Sequence, residues 1–89
     1  MTDESSTRLK VVDENGAAVP GAFVSVLRST VAFPEIALVT DHNGSVRLTL
    51  PGGRFVIAAD ASGKHGEVEL DNREGNLGPE TVLTLRSSP

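Results

Sequence analysis

The sequence predicts an all-β domain, a Greek-key β-sandwich of two sheets with about seven short strands. Three observations carry this. Apolar residues alternate with polar ones in run after run, the period of a half-buried strand. Turn-forming clusters fall between the runs, among them Asp13-Glu14-Asn15-Gly16, Pro20-Gly21, Asp41-His42-Asn43-Gly44, Pro51-Gly52-Gly53, Ser62-Gly63 and Gly75-Asn76. No stretch repeats apolar residues at the i, i+3, i+4, i+7 spacing of a helix.

The elements follow in order. Residues 1–7 are polar and read as a flexible lead-in, with the domain over 8–86 and a tail at 87–89. Leu9 and Val11 alternate with Arg8, Lys10 and Val12. Ala22, Val24 and Val26 share one face of the next run, which places Phe23, Ser25 and Leu27 on the other. Ile36 to Thr40 makes a shorter strand. Val46, Leu48 and Leu50 alternate with Ser45, Arg47 and Thr49. Phe55, Ile57 and Ala59 alternate with Arg54, Val56 and Ala58. Val68 and Leu70 alternate with Glu67, Glu69 and Asp71. Leu83 and Leu85 face away from Val82 and Thr84 in a last strand from Thr81 to Arg86. Asn-Gly supplies the positive φ that tight turns need, and it occurs in two similar segments, Val12 to Gly16 and Thr40 to Gly44.

Composition narrows the function. The chain has 89 residues, the size of one domain. It has no cysteine, so disulfides and thiolate metal sites are excluded. The net charge is −4 and the eight Lys and Arg are scattered, which argues against nucleic acid as a partner. With no Trp or Tyr there is no stacking platform for bases or sugars. The start is acidic, unlike a signal peptide, and no apolar run reaches the ~20 residues of a membrane helix. The expectation is no membrane partner and, for a complete chain, a cytoplasmic one.

Three segments resemble the carboxypeptidase regulatory-like family, whose fold is transthyretin-like (prealbumin-like). They are Val12 to Val26, containing Asp13-Glu14-Asn15-Gly16 and Val19-Pro20-Gly21-Ala22; Thr40-Asp41-His42-Asn43-Gly44 and the strand after it; and Leu50-Pro51-Gly52-Gly53-Arg54-Phe55-Val56-Ile57. The last is similar to a family pattern with a second Pro where Gly52 stands and a Tyr where Phe55 stands. The resemblance implies an accessory module that acts in protein–protein interaction or structural assembly.

Catalytic chemistry finds little footing, and no catalytic residue or cofactor is assigned. A nucleophile needs a neighbouring base, and only His42 and His65 offer imidazoles. Both read as exposed turn residues. No Gly-x-Ser-x-Gly elbow exists. Asp13, Asn15, Asp41 and Asn43 are weak calcium candidates, hard oxygens set close together but without the ligand series of an EF-hand. The same residues serve as Asx-turn formers. Glu67, Glu69 and Asp71 read as a solvated strand face that discourages edge pairing. Lys10 stands on the first strand, as an isopeptide-forming lysine would, but the last strand has no Asn.

A surface remains. Phe23, Leu27, Val56 and Ala58, extended by Phe33, are expected to form an apolar patch on the outside of one sheet and to meet a protein partner or a second copy. The competing expectations for the patch are that the long loop after the strand covers Phe23 or Phe33, or that the inward and outward faces are reversed. The alternative function is an adhesion-type module that binds carbohydrate or calcium through its Asp/Asn-rich loops.

Overall fold

The computed structural model describes residues 5–32, 37–75 and 77–87. Eight strands are present among them: β1 Ser5–Val12, β2 Phe23–Ser29, β3 Ala37–Val39, β4 Ser45–Leu50, β5 Arg54–Ala61, β6 Lys64–Asp71, β7 Glu80–Thr84 and β8 Arg86–Ser87. They form a three-stranded sheet in the order β4-β1-β7 and a five-stranded sheet in the order β3-β2-β5-β6-β8. All pairings are antiparallel except β1 with β7, which run parallel. The chain therefore changes sheet between β1 and β2, β3 and β4, β4 and β5, β6 and β7, and β7 and β8. The architecture is all-β in two sheets, with no helix among the described residues.

The predicted inward faces meet as the core. Leu9, Val11, Leu48, Leu50 and Leu83 come from the smaller sheet. Val24, Phe55, Ile57, Ala59 and Leu70 come from the larger one. Burying a Val, Leu, Ile or Phe side chain is worth about 1.5–3 kcal/mol, and in a chain without disulfides this core is the main source of stability. Phe55, at 1% exposure, fills the centre without a hydroxyl to satisfy.

Several expectations on extent need correction. Ser5 to Thr7, expected in the flexible lead-in, belong to β1 and pair with Leu50, Thr49 and Leu48, and Thr7 is buried, while residues 1–4 lie outside the described residues. At the other end Ser87, expected in the tail, pairs with Lys64 in β8. The single strand expected from Thr81 to Arg86 is broken at Leu85. β7 lies in the small sheet and β8 in the large one, and buried Leu85 makes the crossing, its N–H donating to the Val12 carbonyl at 2.8 Å. Gly66 on β6 permits this close passage. A Cβ there would overlap the Thr84 carbonyl oxygen and crowd Leu83.

Two buried polar side chains tie loops to the frame. Asn72 donates through Nδ2 to the carbonyls of Leu50 and Pro51, both at 2.9 Å, and accepts from Ser5 Oγ at 2.7 Å. Thr40 Oγ1 accepts from the Ala22 N–H at 2.9 Å and donates to the Val19 carbonyl at 2.8 Å. Each buried amide or hydroxyl finds its partner, as desolvation requires.

Candidate functional site

The outer face of the five-stranded sheet is built by register. One row crosses all five strands: Val39, Phe23, Asp60, His65 and Arg86 stand opposite one another in sequence. The next row is Ala37, Ser25, Ala58 and Glu67. The third is Arg28, Val56 and Glu69, and the fourth pairs Arg54 with Asp71. The face therefore grades from apolar on β3 and β2 to acidic on β6.

Phe23 is 62% exposed, Val39 beside it 54%, and Leu27 49%. Leu27 sits where the β2–β5 register shifts, between Val26 and Arg28. The extra residue puts Leu27 and Arg28 together on the outer side, since Val26 opposes inward Ile57 and Arg28 opposes outward Val56. Val56 is half-buried. Ala58, expected in the exposed patch, is instead buried at 3%. It does point outward, but its methyl lies between the longer Ser25 and Glu67 side chains on the flanking strands. Phe33 lies outside the described residues. Val39 joins the patch although alternation in so short a run did not single it out.

His65 is not on a turn, contrary to expectation. It lies on β6, and its ring joins two carboxylates: Nδ1 to Asp60 Oδ1 at 2.6 Å and Nε2 to Glu67 Oε2 at 2.8 Å. These hydrogen bonds, Glu67's first and Asp60's second, raise the imidazole pKa above its usual value. The signal for this cluster was in the sequence. Ser62 and Gly63 both have positive φ, 50° and 77°, as a two-residue hairpin turn requires. That turn length alone sets Asp60 opposite His65. His42 is exposed in its turn, as expected.

The remaining acids of β6 are also engaged. Glu69 Oε1 meets Arg54 at 3.3 Å, and Asp71 Oδ2 meets Arg73 at 2.6 Å. All these groups are exposed, so the pairs fix side-chain direction more than they stabilise the fold.

The two Asx candidates are alike in detail. Asp13 Oδ1 accepts from the N–H groups of Asn15 and Ala17 at 2.9 and 3.0 Å. Asp41 Oδ1 accepts from Asn43 and Ser45 at 2.9 and 3.0 Å. Those backbone donors, Ala17 and Ser45 foremost, hold both carboxyls below their usual pKa. The oxygens considered as calcium ligands thus close their own turns. Among the described residues no three His, Asp or Glu side chains are placed to hold a metal ion, and no helix is long and apolar enough to cross a membrane.

No family model matches the chain, and no curated protein does. Among solved structures the chain is similar to the crystal structure of S.CueP, with a TM-score of 0.71 at 16% identity. The match covers 97% of this chain and spans 63% of the length of that one. At this identity the likeness concerns the fold, and it agrees with the two-sheet all-β architecture.

Proposed function

We infer that the chain is a non-catalytic accessory module of the carboxypeptidase regulatory-like, transthyretin-like kind, and that it acts by docking the outer face of its five-stranded sheet on a protein surface. The neighbouring position of β2 and β5 and the crossings between sheets support the Greek-key, transthyretin-like reading. One observation carries the docking role: Phe23 and Val39, 62% and 54% exposed, stand side by side on adjacent strands. Leu27 and Val56 lengthen the strip. Contiguous apolar surface of this kind is costly to leave in water and marks contact sites. Covering one such ring returns about 1.5–3 kcal/mol. The Asp13 and Asp41 loops favour calcium less, because one oxygen of each is already shared between two backbone donors.

The test is substitution of Phe23→Asp and Leu27→Asp, each followed by sedimentation velocity and a thermal melt. Association is expected to disappear while the monomer melts as before, because both side chains lie outside the core. Unchanged association would remove the apolar strip from consideration.

A further inference from the structure

The two Asp-x-Asn-Gly turns carry a chemistry that their role in the fold does not use. An asparagine followed by glycine can lose its side-chain amide, because glycine puts no side chain in the way of its own backbone nitrogen. Asn15-Gly16 and Asn43-Gly44 are both such pairs, and both asparagines are exposed. We propose that Asn15 is a site of spontaneous covalent modification, converting to aspartate and isoaspartate, and that the fold protects Asn43 from the same reaction.

The reaction consumes water and needs no other partner. The Gly16 backbone nitrogen gives up its proton to solvent and attacks Asn15 Cγ. The Cγ–Nδ2 bond breaks, and Nδ2 leaves as ammonia with a proton taken from water. The product is a five-membered imide that holds the Gly16 nitrogen between Cγ and the backbone carbonyl carbon of Asn15. Water then opens one of those two C–N bonds. Opening at Cγ leaves an aspartate in a normal backbone. Opening at the backbone carbon leaves isoaspartate, with one more methylene in the chain. Nothing is oxidised or reduced.

Locally the two turns resist alike. The attacking nitrogen is a hydrogen-bond donor in each, Gly16 to the Asp13 carbonyl and Gly44 to the Asp41 carbonyl, both at 2.9 Å. Each asparagine N–H is held by the Asp carboxylate at 2.9 Å. The difference is tertiary. Ring closure swings the Asn–Gly peptide plane and carries the glycine with it. Gly16 is exposed, and its carbonyl accepts no backbone N–H among the described residues. Gly44 is buried, and its carbonyl accepts from the N–H of buried Val11 at 2.8 Å. The Val19 nitrogen and Ala18 Cβ fill the space where a side chain on Gly44 would stand. Moving Gly44 would leave the buried Val11 N–H unsatisfied, which is costly. The Asp13 turn therefore opens on its own, whereas the Asp41 turn opens only with the end of the β1–β4 ladder. Conversion at Asn15 sets a second carboxylate beside Asp13, and the isoaspartyl form lengthens the span that Asp13 and Gly16 close.

The full chain is incubated in warm, mildly alkaline buffer, folded in one arm and unfolded in guanidinium chloride in the other, with circular dichroism as the check on folding. Peptide mapping by mass spectrometry reads the acid formed at each asparagine. In the folded arm Asn15 is expected to convert about tenfold or more faster than Asn43, and in the unfolded arm the two rates should converge. Asn15→Gln should remove the acidic species seen on ion exchange without changing the melt. Equal rates in the folded chain, or Asn43 ahead, would overturn the proposal. So would an Asn15 that stays intact in the folded chain while the unfolded chain converts it. The same rate ratio in both arms would also overturn it, since the neighbours Glu14 and His42, and not the fold, would then set the difference.

Discussion

His65 shows how a single ring can set the character of a face. With both nitrogens against carboxylates, the imidazolium is favoured over the neutral ring, so its proton is held to higher pH than in an unfolded chain. A raised folded pKa contributes stability that is fully present below the unfolded value near 6.5 and is lost as pH rises through the folded value. An NMR titration of the His65 ring is expected to show a midpoint above 6.5, falling back when Glu67→Gln and Asp60→Asn remove the acceptors. A midpoint at or below 6.5 in the intact protein would contradict the geometry. This cluster was legible from the Ser62-Gly63 turn and the i, i+2 spacing of His65 and Glu67. Ala58 was legible only by half: period two gives the direction of a side chain, whereas its depth depends on the neighbours across the strands.

At the scale of elements, the two Asx turns were readable in advance and the difference between them was not. Both use an Asp to gather two backbone N–H groups, and both release the chain through a glycine of positive φ, 82° at Gly16 and 74° at Gly44. Gly16 faces open space. Around Gly44 a Cβ would come to 2.8 Å from the Val19 nitrogen and 2.9 Å from the Val11 oxygen. Gly16→Ala should therefore cost only the left-handed strain of about 1–2 kcal/mol. Gly44→Ala should add overpacking of about 1–3 kcal/mol against backbone that cannot move aside. Urea unfolding of the two variants measures the gap, and equal losses would refute it. The break at Leu85 was invisible for a related reason. Leu83 and Leu85 alternate as one strand would, and only the packing of Thr84 over Gly66 shows that the chain changes sheets there.

For the whole molecule, alternation and turn chemistry specified the core residues closely, because burying one face of each strand leaves little choice of register. They did not specify which strands become neighbours. The juxtaposition of Arg8 with Arg47 follows from β1 pairing with β4, residues 39 apart in sequence, and a summed charge of −4 conceals it. Nor did they reveal that β1 and β7 run side by side in the same direction. That arrangement has a mechanical consequence. Tension applied before Ser5 and after Ser87 first frees β8, whose two residues pair, among the described residues, with Lys64 and His65 alone. It then pulls β1 and β7 in opposite senses along their shared length. The bonds from Arg8 to Val12 on β1 and from Glu80 to Thr84 on β7 are then loaded in shear, together, and cannot unzip one at a time. Single-molecule stretching should accordingly give one abrupt rupture after a small early yield, whereas a gradual lengthening would mean that the ladder peels.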